Sequence, residues 1–245
     1  MPLLFAFGSV LLVSLASLAS ILVLLISAAK LSRIVFVLVA LSVGALFGDV
    51  FFHLLPDLFL ELPAEQVATG VLLGILFFFV LEKFLRWHHH GKEEEESNKT
   101  IGYLNLLADG VHNFLDGAFI AAAYLISIPV GIATTVAVLL HELPQEIGDF
   151  GVLVSSGFKP REAIFWNLMS ALVALLGVAV VFIIGEQGSL FVKILLPFTA
   201  GSFIYIAGSD LVPELHRTRD LKSSAIQFFA IVTGILLMAS LLFFE

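Results

Sequence analysis

The chain has no cysteine and little charge. Its 245 residues include 12 Lys and Arg and 20 Asp and Glu, 13% in all, where a soluble domain carries about 25%. The absence of cysteine excludes a disulfide scaffold and thiolate metal chemistry. A net charge of −8 excludes a nucleic-acid binder. What is present in excess is apolar: 60% of residues are hydrophobic and the mean hydropathy is +1.08. A soluble globule has too little interior for that surface, so the chain reads as an all-α polytopic membrane protein.

A membrane-spanning helix needs roughly 20 mostly apolar residues. Eight segments qualify, about 3–29, 34–55, 66–86, 101–125, 129–155, 161–184, 189–212 and 223–244. The first lacks a basic leader and a clear cleavage site, so it reads as a span and not a signal peptide. Lys30 and Arg33 follow helix 1, and Lys83, Arg86, Lys92 and Lys99 surround the helix 3–4 loop. Lys159 and Arg161 separate helices 5 and 6, and Arg217, Arg219 and Lys222 separate helices 7 and 8. Every basic residue except Lys193 thus falls on alternate loops, which makes those loops cytoplasmic and puts both termini outside.

The loop at 87–100 contains His88, His89 and His90 followed by Glu93 to Glu96. It reads first as a solvated charge run that ends helix 3, with a cytosolic metal-catching loop as the sharper alternative. Gly44 with Gly48 and Gly70 with Gly74 allow close helix contact, read as internal packing ahead of a homodimer face.

Ionisable groups in hydrocarbon are costly, so their default reading is functional and bundle-facing. Asp109, His112, Asn113 and Asp116 on helix 4 fall within an arc of about 100°. His141, Glu142, Gln145, Glu146 and Asp149 on helix 5 span about 140°. Two such stripes must face each other or water. Imidazole, carboxylate and amide groups without Lys or Arg suit a divalent cation better than helix stapling or a metal-free proton relay. Pro144 removes an N–H and crowds the carbonyl of Leu140, so a free carbonyl is expected beside the site. His141-Glu142-Leu143-Pro144-Gln145 lacks the second His of a metalloprotease H-E-x-x-H.

The text also repeats. Gly44 precedes His53-Leu54-Leu55-Pro56-Asp57 on helix 2, and Gly201 precedes Asp210-Leu211-Val212-Pro213-Glu214 on helix 7. Pairing 2 with 7 and 4 with 5 predicts a 3+2+3 inverted-repeat bundle with a midplane site and alternating access. Asp49, His53 and Asp57 then form an outer entry station, and Asp210, Glu214 and His216 an inner exit station. Outer-loop Glu61, Glu65 and Glu186 favour cations at the mouth. Asn167 and Ser170 on helix 6 are candidates to complete the centre.

The paired motifs His112-Asn113-Phe114-Leu115-Asp116-Gly117 and His141-Glu142-Leu143-Pro144-Gln145-Glu146, followed by Gly148-Asp149, resemble the Zrt/Irt-like (ZIP) divalent metal transporter family. Eight helices, outward termini and a His-containing loop between helices 3 and 4 extend the resemblance over nearly the whole chain. It implies a two-metal centre between helices 4 and 5. Carried over by position, one metal would use His112, Asp116, His141 and Gln145. Its neighbour would use Asn113, Asp116, Glu142 and Gln145 with a helix 6 ligand, and Asp116 would bridge.

The expected function is transport of divalent transition metals toward the cytoplasm, with zinc first and iron, manganese or cadmium as further substrates. No organic cofactor and no enzymatic activity are expected. Glu146, Asp109 and Asp149 join the path. The partners are the metal ions, the lipid bilayer and a second copy as a candidate homodimer. The location is a multi-pass integral membrane protein, in the plasma (inner) membrane if bacterial. The alternatives are an intramembrane zinc hydrolase, with Glu142 as general base, and a selective channel.

Overall fold

The computed structural model describes residues 1–87, 97–185, 190–216 and 220–244, so His88, His89, His90 and Glu186 lie outside the described residues. The described chain is helical and has no strand. Its helices run as eight rods. The first, α1, is Pro2–Ser14 continued by a 3₁₀ stretch Leu15–Ser20 and a short helix Ile21–Leu25. It stops before Ser27, whose backbone is extended and starts α2 at Ala28.

Rod α2 is Ala28–Asp49, a widened π-turn Val50–Leu54 and Leu55–Glu61, so it runs past the residue 55 expected from the sequence. Then come α3 (Ala64–Trp87), α4 (Ser97–Ile126) and α5 (Ile128–Ser155). Rod α6 is Pro160–Ala171 and Ala174–Ile184, with a turn between. Rod α7 is Leu190–Tyr205, a π-turn Ile206–Leu211 and Val212–Leu215. Rod α8 is Leu221–Leu241.

The two π-turns have a common cause. Pro56 and Pro213 offer no N–H to the carbonyl four residues earlier, Phe52 or Ser209, so the preceding turn widens. The helix then resumes with proline in its first turn and an acid, Asp57 or Glu214, beside it. His53 lies in the first widened turn and Asp210 in the second.

Six rods, α1, α2, α3, α6, α7 and α8, are long and apolar enough to cross a membrane. The other two, α4 and α5, carry the polar stripes and form the centre. Only Ser127 separates them, and its hydroxyl accepts from the Val130 N–H to start α5. Packing runs outward from this hairpin: α4 touches α1, α6 and α5, α5 touches α2, α2 packs on α8, and α3 on α7.

Glycine makes the crossings close. A methyl at Gly44 would overlap the Ile231 carbonyl, and one at Gly234 the Leu41 carbonyl, so α2 and α8 meet backbone to backbone. Gly74 and Gly201 do the same for α3 and α7, and Gly117 and Gly177 for α4 and α6. Without a hydrophobic drive between helices in lipid, such contact is a main source of adhesion. Gly44, Gly48, Gly70 and Gly74 therefore serve packing within the chain.

The polarity is inside out relative to a soluble protein. Leu72, Leu76, Val80, Ile183, Phe228 and Phe229 are exposed, while Asp49, His53, Asp109, Asp116, Glu142 and Glu146 are buried. The chain is a polytopic membrane protein.

Candidate metal centre

His112 and Asp116 lie one turn apart on α4 and project toward His141 and Glu142 on α5. Five distances define the group. His141 Nε2 is 3.2 Å from Asp116 Oδ2 and 3.3 Å from Glu142 Oε1. His112 Nε2 is 3.3 Å from His141 Nε2, 3.3 Å from Glu142 Oε1 and 3.6 Å from Asp116 Oδ2. A tetrahedral zinc ion with bonds of about 2.0–2.2 Å requires ligand–ligand edges of about 3.3–3.6 Å. The five distances all fall within about 0.1 Å of that range, and the remaining pair, Asp116 and Glu142, offers ligand oxygens within 4.8 Å.

Their chemistry agrees. The Ala137 carbonyl, 3.2 Å from His141 Nδ1, can only accept, so Nδ1 carries the hydrogen and Nε2 presents a lone pair inward. Both oxygens of Asp116 and of Glu142 are buried without a hydrogen-bond partner. A single hydrogen on His112 Nε2 cannot serve Asp116 Oδ2, Glu142 Oε1 and His141 Nε2 together, whereas a divalent cation among them can take one ligand atom from each residue. Phe78 packs edge-on to His112 and Phe203 to His141, fixing the two rings.

The geometry regroups the sequence expectation. Glu142 stands with the two histidines, where Gln145 was expected. The flexible glutamate bends to the point the imidazole reaches. Gln145, one turn away from His141, is half-buried on the wall of a cavity of about 270 Å³. That cavity also touches His112, Asp109, Asp149 and Asp210. Asn113 donates to the Asp109 carboxylate at 2.9 Å. Asn167 of α6 donates to the Glu146 carbonyl at 3.1 Å, while Ser170 is engaged with the Leu106 carbonyl at 3.0 Å.

Of the outer-station residues, Asp49 accepts from Thr134 of α5 at 3.2 Å, and His53 Nε2 lies 3.0 Å from the Met238 carbonyl of α8. Asp57 is half-buried, and Glu214 and His216 are exposed at the end of α7. The carbonyl expected to be free beside Pro144 has a neighbour: Ser42 Oγ of α2 lies 2.6 Å from Leu140 O and 2.7 Å from Leu38 O of its own helix, and its one hydrogen is shared between them, which corrects that expectation. Asn105 was missed by sequence reading. It donates to Asp149 at 3.0 Å and lies four residues before Asp109, so extending the α4 stripe by one turn would have found it.

The comparisons with known proteins follow this geometry. The family model described as ZIP Zinc transporter matches residues 2–100 and 86–242. The chain is 36% identical over 218 residues to "Zinc transporter ZIP13" of Pongo abelii, covering 82% of this chain and 65% of that protein. It is 32% identical over 276 residues to "Zinc transporter ZIP13 homolog" of Drosophila melanogaster, covering 85% and 77%. It is 31% identical over 239 residues to "Zinc transporter YKE4" of Saccharomyces cerevisiae, covering 82% and 69%. The chain thus spans just under two thirds of the first relative's own length. Because the family model covers nearly all of this sequence, the chain belongs to the ZIP zinc transporter family.

Proposed function

We propose that the chain moves divalent transition-metal cations, zinc first, across a membrane toward the cytoplasm by alternating access. The ion is held by His112, Asp116, His141 and Glu142, with Asn113 and Gln145 as neighbouring ligands. The observation that carries this reading is the convergence of four ligand atoms at spacings a single small cation can bridge, three of whose residues are 1% exposed. Relatives named zinc transporters support the same substrate.

One-sided access supports alternating access. The cavity borders the half of α4 that precedes His112 and the half of α5 that follows His141. On the other side Phe119–Ala123 of α4 and Ala133, Ala137 and Val138 of α5 are fully buried. By the distribution of basic residues the open side is cytoplasmic. The inverted 3+2+3 repeat is supported by matched features: α2 and α7 share a π-turn before proline, and the α2–α8 and α3–α7 crossings share paired glycines. Asp210 on the cavity wall fits an exit role. The hydrolase alternative made Glu142 the general base, but Glu142 Oε1 is 3.3 Å from both imidazoles, the position of a ligand.

Zinc flux into proteoliposomes tests the reading. His112→Ala and Asp116→Ala should abolish uptake while the protein remains monodisperse. Wild-type rates in either variant would overturn the assignment.

A further inference from the structure

The two halves of α6 sit differently against α4. Beyond the turn at Leu172 and Val173 the backbones touch: a methyl on Gly117 would overlap Ala174, and one on Gly177 the Phe114 carbonyl. Before the turn, Asn167 donates to the Glu146 carbonyl of α5 at 3.1 Å, and a methyl on Gly110 of α4 would meet only Ser170 Oγ, at 3.3 Å. The halves thus leave a wedge of about 530 Å³ between α4 and the start of α6. Its walls include Tyr103, Leu107, Val111 and Phe114 on one side and Trp166 and Met169 on the other. Tyr103, Leu107 and Trp166 are exposed, so the wedge opens on the lipid-facing surface, and no residue of the metal centre lines it.

Chemistry and size decide what can fill it. The Ser170 hydroxyl is given to the Leu106 carbonyl, and no charged side chain lines the wedge. Water would find few partners there, and such spaces stay dry. From Tyr103 to Phe114 α4 rises about 16 Å, roughly half of the hydrocarbon core and so the depth of one leaflet. Spread over that length, the volume gives a mean cross-section of about 30 Å², against about 80 Å² or more for a helix with its side chains. The space is too thin for a helix of a second copy and wide enough for one hydrocarbon chain.

The mouth is aromatic and basic. Tyr103 stands edge-on to Phe158 at 5.2 Å, and Gly102 lies against the same ring, so the start of α4 rests on the α5–α6 connection. Lys159 and Arg161 follow Phe158, Lys99 lies one turn before Tyr103, and all three are exposed. Glu162, the acid beside them, lies 4.0 Å from Lys159 Nζ. Aromatic rings mark the interfacial level of a membrane, and cations beside them attract anionic headgroups. We propose that the wedge holds an acyl chain of an anionic phospholipid from the leaflet on the side of the basic loops, with its headgroup among Lys99, Lys159 and Arg161. The lipid fills the gap that opens where α6 turns toward α5. This is a binding claim and stands whether or not the transport reading does.

Trp166 on the wall reports occupancy, and Trp87→Phe leaves it the only tryptophan. The full chain with that change, in phosphatidylcholine nanodiscs, is titrated with brominated phosphatidylglycerol or brominated phosphatidylcholine, each of which quenches indole on contact. Phosphatidylglycerol should quench at the lower mole fraction. Lys159→Gln and Arg161→Gln, at exposed positions that leave the fold alone, should each raise its half-quenching mole fraction about fivefold, the worth of one basic residue near an anionic surface. Gly110→Leu and Val111→Phe fill the wedge from α4 and should erase the advantage of phosphatidylglycerol. Equal quenching by the two lipids before any of these changes would overturn the site, as would an advantage that survives both filling variants. Trp166 shielded from both lipids, with the mass of two chains in each nanodisc, would mean that a second copy covers the wedge and would overturn the site too.

Discussion

His141 shows how much preparation one ligand needs. Its Nδ1 hydrogen is committed to the Ala137 carbonyl, so in the neutral ring that binds a metal the inward nitrogen offers a lone pair. Across from it stand Asp116 and Glu142, whose carboxylates have no hydrogen-bond partner. A site built this way is costly when no ion fills it, because buried acceptors repel and lack donors. Two outcomes follow for Asp116→Asn. Without metal, its melting temperature should exceed that of wild type, since one buried charge is gone. With saturating zinc the order should reverse: wild type gains about 2.7 kcal/mol at a hundredfold excess over Kd, and the variant gains little. Thermal melts with and without zinc check both, and a variant that melts lower in both conditions would argue for a structural carboxylate. Ser42 gives a contrasting case. Its hydroxyl sits on the carbonyl freed by Pro144 and holds α2 to α5. Ser42→Ala should cost about 1–3 kcal/mol and leave zinc affinity unchanged, as chemical denaturation and a binding titration would report.

At the scale of helices, glycine decides which rods can approach. A methyl on Gly117 would run into the backbone of Ala174, whereas one on Gly148 would meet nothing. Both positions are helical. Gly117→Ala should therefore destabilise by about 1–3 kcal/mol through overpacking of α4 against α6. Gly148→Ala should be neutral or stabilising by up to about 1 kcal/mol through helix propensity. Equal effects in denaturant titrations would show that the crossing is not close. This scale also separates what the amino-acid text carries from what it does not. The stripes on α4 and α5 were legible because 3.6-residue periodicity puts Asp109, His112, Asn113 and Asp116 on one face before any fold is known. The glycine pairs were legible for the same reason. The partnerships of Ser42 with Leu140, Thr134 with Asp49 and Asn105 with Asp149 were not, because they join residues 98, 85 and 44 apart in the chain. The grouping of Glu142 with the histidines also escaped reading, since a rotamer and not a helical angle sets where a glutamate carboxylate ends. The π-turns were hidden because one extra residue in a turn barely disturbs an apolar pattern.

Across the whole molecule, charge and access point the same way. Ten acids, Asp49, Asp57, Glu61, Asp109, Asp116, Glu142, Glu146, Asp149, Asp210 and Glu214, lie on α2, α4, α5 and α7, against four basic residues, Lys30, Arg33, Lys99 and Lys193. These four helices thus carry −6 of the net −8, half of it on α5 alone, which has three acids and no basic residue. Asp109, Asp149 and Asp210 line the cavity, where a field of one sign gathers cations and low-dielectric walls focus it. Beyond the histidines α4 and α5 are closely packed and mostly apolar, with Phe119–Ala123, Ala133, Ala137 and Val138 fully buried, and the Thr134 hydroxyl there is engaged with Asp49. A carrier needs this asymmetry and must reverse it; a channel needs a continuous polar path. The absence of native cysteine makes the distinction measurable. Ala108 lines the cavity, and Ala122 and Ala133 lie in the closely packed half at 0% exposure. In sealed vesicles, Ala108→Cys should react with an impermeant maleimide only from the side that carries the basic loops. Ala122→Cys and Ala133→Cys should stay unlabelled from that side. Conditions that lock the opposite state should protect Ala108→Cys and let at least one of the other two react from the far side. Simultaneous labelling of all three from one side would mean an open pore and would end the alternating-access account.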